Sequence, residues 1–106
     1  IDNHDTLTGT NDEGRLYAAD ATCKDWTAAT GDASEGRPRV GHSWPRFGGP
    51  GGPGSRINMA NWMSSLDESG CAPGVSIVEM GGPDPNVPTV GSGGGYGGFY
   101  CFALEP

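Results

Sequence analysis

The residues best suited to chemistry in this chain of 106 are an acidic opening run, two histidines, three cysteines and several aromatic rings set among glycines. Asp2, Asn3 and Asp5, then Asn11, Asp12 and Glu13, carry oxygen donors of the kind Ca2+ collects, roughly six to eight at a time. Asp2, Asp5, Asn11 and Asp12 are the candidate ligands. Their spacing is not that of an EF-hand loop, and the same residue types build turns. Asn and Asp tolerate left-handed backbone, and Gly14 completes a tight loop after Asn11-Asp12-Glu13. The turn is the preferred reading, so no cofactor is expected, and Ca2+ is the one ion these residues would suit. His4 and His42 have no neighbouring ligand cluster in the sequence, which argues against zinc and other transition metals.

A Ser-His-Asp set could be drawn on paper from His42, Ser43 or Ser76, and any of several Asp. No Gly-x-Ser-x-Gly is present, and adjacent His42 and Ser43 on a strand point to opposite faces. His42 is therefore read as a core residue. Asp67-Glu68 reads as solvated surface. Gly93-Gly94-Gly95-Tyr96-Gly97-Gly98 lacks the Lys-Ser/Thr of a phosphate loop and reads as a backbone run passing close to a neighbour. The chain is expected not to be an enzyme.

Binding is better served. Aromatic rings on glycine-rich loops stack on apolar faces at low entropic cost, as in carbohydrate and protein recognition sites. Trp44, Phe47, Trp62 and Tyr96 are the candidate contact rings, and Arg46 flanks the Gly-Gly-Pro loop at 48–54. Trp26, beside Cys23, reads as core.

Composition narrows the partners. The chain has 20 Gly and 9 Pro, well above the average share, and a net charge of −7. Such an acidic chain repels phosphate backbones and anionic lipid, which argues against nucleic acid and membrane surfaces. No apolar run approaches the roughly 18 residues that span a bilayer, so membrane insertion is not expected. The length fits one domain, residues 1–106.

The elements that must hold these residues are short. Arg15–Ala19 is a candidate strand. Arg39–Trp44 alternates well enough for another, with Val40, His42 and Trp44 on one face. Met59, Trp62, Met63 and Leu66 have helical spacing. Val75–Val78 reads as a strand, and Phe99–Leu104, with alternating aromatics, as the strongest and most central one. The fold class expected is a small, loop-rich α+β domain, mainly β with one short helical segment.

The cysteines leave alternatives open. Cys23, Cys71 and Cys101 contain no Cys-x-x-Cys pair. In an oxidising compartment two would pair and one would be left over, whereas in the cytosol all three would be buried thiols. An orphan Cys101 between aromatic residues would also be buried. The single Lys, and a start at Ile1 without Met, fit a trimmed product of a secreted precursor.

Taken in order, Gly9–Arg15, Cys23-Lys24-Asp25-Trp26, Ala29-Thr30-Gly31, Gly70-Cys71 and Phe99-Tyr100-Cys101-Phe102 are similar to the C-terminal half of the collagen endostatin domain, which has a C-type-lectin-like fold. Cys23–Thr27, Arg39–His42, Trp62, Gly70-Cys71 and Phe99–Ala103 resemble bacterial secreted C-type-lectin-like domains more closely still. The resemblance spans about residues 8–103. It implies a disulfide-linked, lectin-like fold in which Cys23 pairs with Cys71. Closing that loop of about 48 residues would contribute about 3–4 kcal/mol. It also implies that Cys101 pairs with a cysteine in an N-terminal half that this chain lacks. The chain would then be the C-terminal part of a larger domain, or Cys101 would be free or joined to a second polypeptide or a second copy. The Glu-Pro-Asn, Gln-Pro-Asp and Trp-Asn-Asp ligand motifs of calcium-dependent sugar-binding members are absent, and Asn61-Trp62-Met63 keeps only their shape. The function expected is secreted, non-enzymatic recognition or adhesion with a glycan or extracellular protein as ligand. The alternative is a structural subunit of an extracellular filament or surface assembly.

Overall fold

Arg39-Val40-Gly41-His42 forms a strand, as its alternation predicts, and sits inside a four-stranded mixed sheet. The structure is a computed structural model that describes residues 4–43, 61–76 and 82–105. The strands are β1 (Asp5–Leu7), β2 (Arg39–His42), β3 (Leu66–Asp67) and β4 (Gly95–Gly98), in the order β3-β2-β1-β4. β1 runs antiparallel to β2 with Asp5 opposite His42 and Leu7 opposite Val40. β2 runs antiparallel to β3, and β1 pairs parallel with β4 through an irregular register.

Strand alternation puts Asp5 and Leu7 of β1 on one face with Val40 and His42 of β2. Among the described residues, the apolar end of that face forms a core cluster of Leu7, Val40 and Leu66, with Val90 packed against them. Arg39, on the opposite phase of β2, is also buried. Its Nε donates to Ser64 Oγ at 2.9 Å, one terminal nitrogen meets Asp67 Oδ1 at 3.2 Å, and the guanidinium lies over the Tyr17 ring.

Helix is scarce. One turn, α1 (Cys23–Trp26), has φ of 48–63° at all four residues, so it winds left-handed. Thr22 caps it by accepting from the Asp25 N–H at 3.2 Å. A 3-10 turn follows at Ala33–Glu35, capped by Asp32, whose carboxyl is held below its ordinary range by hydrogen bonds from Ser34. A disulfide joins Cys23 to Cys71 across 48 residues, in agreement with the pairing that the resemblance implied. Among the described residues, no helix is long and apolar enough to cross a membrane.

Several sequence expectations give way. The expected helix at Met59–Leu66 does not form over its described part. Asn61 Oδ1 accepts from the N–H groups of Met63 and Ser64 at 2.9 and 2.8 Å, and the Asn61 carbonyl is taken by His42 N–H at 3.0 Å. These local and cross-strand bonds compete with helix, and the chain enters β3 at Leu66. The approach requires Gly41, where an added Cβ would lie 1.7 Å from the Trp62 carbonyl oxygen.

The strongest expected strand, Phe99–Leu104, lies outside the sheet, and the glycine run just before it supplies β4 instead. Bare backbone fits there: a Cβ at Gly97 would sit 2.5 Å from Val90 Cγ2. Phe99 and Phe102 remain exposed, and so does Cys101, which was expected to be buried. Trp26 is likewise half-exposed rather than core. Arg15–Ala19 yields only a bridge between Leu16 and Thr10, and Val75–Val78 only a bridge between Ser76 and Gly95 over its described part.

Candidate functional site

The displaced C-terminal aromatics create an open groove of about 260 Å³. Leu7, Trp62, Met63, Phe99, Tyr100 and Phe102 line it, with Thr8 and Thr10. Trp62 is the anchor. Its ring is edge-on to Tyr100 at 5.5 Å and to Phe102 at 6.2 Å, and it remains 45% exposed. Edge-to-face contacts of this kind are a favoured geometry for aromatic pairs and fix the rings relative to one another. The Tyr100 hydroxyl donates to the Trp62 carbonyl at 2.9 Å, and the hydroxyls of Thr8 and Thr10 donate to the Met63 carbonyl. A hydroxyl that donates retains acceptor lone pairs, so the groove lining carries polar oxygens among its rings. The result is a shallow apolar trough with a few fixed hydroxyls.

Of the two expected contact rings among the described residues, Trp62 and Tyr96, Trp62 lines this groove. Tyr96 projects from β4 and is 45% exposed, but it is not part of the lining. Trp44, Arg46 and Phe47 lie outside the described residues, as does Asp2. Tyr100 and Phe102 were missed as groove residues because alternating aromatics were read as a central strand. Their sequence signal was nevertheless present, as three aromatic residues within a span of four.

The residues read as oxygen ligands take two separate paths. Asn11 and Asp12 sit in the expected turn, where Asn11 Oδ1 accepts from the N–H groups of Glu13 and Arg15 at 3.0 Å each. Asp12 is exposed. Asp5 is buried in β1 and turns instead to the histidines, with His4 Nε2 3.4 Å from its Oδ1. His42 is fully buried, and its ring centroid lies 4.1 Å from that of His4. The cluster that the linear sequence lacks is thus assembled by pairing β1 with β2.

Glu68 extends this cluster, and far from being solvated surface it is fully buried. Its Oε2 accepts from Ser92 Oγ and from Gly93 N–H, both at 2.6 Å. The Asp5 carboxyl adjoins it, both lying against Gly93. Burial pushes the Glu68 carboxyl above its ordinary range, against the opposing pull of those donors and of His4. Gly93 makes room for the pair, since a Cβ there would lie 2.9 Å from Asp5 Oδ2 and 3.2 Å from Glu68 Oε1. No sequence signal marked Glu68 beyond its place beside Asp67.

Comparison of the chain with protein-family models, with curated proteins and with solved structures returns no match.

Proposed function

We propose that this chain is an extracellular, non-enzymatic recognition module of C-type-lectin-like fold, and that its groove at Trp62 takes a saccharide. The module is residues 1–106 alone or the C-terminal part of a larger lectin-like domain. The observation that carries the reading is the half-exposed Trp62 ring, packed against Tyr100 and Phe102 in a groove that also carries hydroxyls. A pyranose offers an apolar C–H face to such a ring and hydroxyls to such oxygens. The small mixed sheet and the Cys23–Cys71 bridge support the lectin-like assignment. An internal disulfide fits an oxidising, extracellular setting. His42 is fully buried, which fits its reading as a core residue. A glycan array probed with the wild-type chain is the test. Retention on one saccharide class supports the proposal, and retention on none overturns it.

A second reading is favoured by one feature. Cys101 is a free, exposed thiol flanked by Phe99, Phe102 and Leu104, all exposed. This arrangement suits a covalent joint to another polypeptide in an extracellular assembly. Electron microscopy of the native material distinguishes the two, since ordered polymers are expected only for assembly.

A further inference from the structure

We propose that His4, Asp5 and His42 bind one first-row divalent transition ion, with Zn2+ the best fit, and that the ion is structural. One donor atom from each of the three residues lies within 4.8 Å of the others, and all three residues are buried. A tetrahedral Zn2+ with bonds of about 2.0–2.2 Å holds its ligands about 3.3 Å apart. Closing the triad onto an ion therefore asks its widest donor pair to approach by at most about 1.5 Å.

The donor set selects the ion. Two imidazoles and one carboxylate suit Zn2+ or a neighbouring transition ion, whereas Ca2+ requires a shell of oxygens that this triad does not provide. The positions are set by the backbone. His4 N–H and Asp5 N–H both donate to the Gly94 carbonyl at 3.1 Å, fixing the start of β1 against the glycine turn. His42 is held directly opposite Asp5 by the β1–β2 register.

An outer layer is also in place. Glu68 adjoins the Asp5 carboxyl, and is itself fixed by Ser92 and Gly93. Outer partners of a ligating carboxylate hold it in orientation. Three protein ligands leave one position for water or a fourth side chain. Because the triad is buried, the ion would act as a cross-link between β1 and β2, apart from the groove. The site therefore stands or falls independently of saccharide binding.

The test is metal uptake by the full chain with Cys101 alkylated, so that its exposed thiol cannot contribute. Zn2+ alone is titrated by calorimetry, and Co2+ alone by visible absorption. The expected result is one equivalent of each, a Co2+ spectrum of tetrahedral type, and a higher melting temperature with Zn2+. X-ray absorption of the Zn2+-loaded wild type should show two imidazole ligands, which requires no variant to fold. His4→Gln and His42→Gln, checked by circular dichroism, should each lose at least tenfold in affinity. Absence of stoichiometric uptake, an all-oxygen coordination shell, or unchanged affinity in folded variants would overturn the proposal.

Discussion

Asp5 and His42 face one another across the antiparallel pair β1–β2, both buried, where two strands would ordinarily place an apolar pair. One step along the same face, Leu7 and Val40 are that apolar pair. The sheet is therefore divided along its length into a small hydrocarbon core and a polar core, and the polar half depends on complete hydrogen bonding.

Glu68 is the residue on which that dependence is most exposed. Replacement by Ala leaves Ser92 and Gly93 without their acceptor and should cost about 1–3 kcal/mol. Replacement by Gln keeps an acceptor for both and a donor toward Asp5, and should cost much less. The wild-type carboxyl is raised in the folded state by burial. Its contribution is therefore fully present below the ordinary carboxylate range and is lost as pH rises through the raised value. Urea melts across a pH series should show a stability decline over that window, and Glu68→Gln should lessen it. An unchanged slope in Glu68→Gln would contradict the assignment.

The left-handed turn at Cys23–Trp26 predicts an unusual sign. Glycine in an ordinary helix costs about 1 kcal/mol, but here Lys24 has φ of 54° and is exposed. Left-handed backbone costs an L-residue roughly 1–2 kcal/mol, a cost that glycine avoids. Lys24→Gly should accordingly leave stability unchanged or raise it by up to about 1 kcal/mol in chemical denaturation. A loss of about 1 kcal/mol would indicate a right-handed turn.

The Cys23–Cys71 bridge closes a loop of 48 residues and is expected to contribute substantially to stability. Reduction, or the double substitution Cys23→Ser with Cys71→Ser, should remove about 3–4 kcal/mol. Thermal melts with and without reductant check this. A melting temperature indifferent to reductant would show that the core suffices alone.

Local patterns were legible in the sequence where backbone and side chain agree. The alternation in Arg39–His42 became β2, and Asn11–Gly14 became the expected turn, because each is determined within a few residues. The helical spacing of Trp62, Met63 and Leu66 is real, yet Asn61 and β2 claim the hydrogen-bonding groups that a helix would need. Strand propensity rewards side-chain packing and so points to Phe99–Leu104. The position beside β1, however, admits little but backbone, and glycines take it. The His4–Asp5–His42 cluster joins residues more than thirty positions apart, and no spacing rule reaches across an antiparallel register. The groove was half legible: Trp62 was a candidate, but its partners Tyr100 and Phe102 were placed in the wrong layer.

The most direct test of recognition through the groove is a side-by-side titration of wild type and Trp62→Ala with the saccharide class retained on an array. The substitution removes the ring but keeps the backbone carbonyl that accepts from Tyr100. We expect affinity to fall at least tenfold in Trp62→Ala while circular dichroism and melting temperature stay close to wild type. Equal affinity in the two proteins would place the ligand elsewhere and contradict the account.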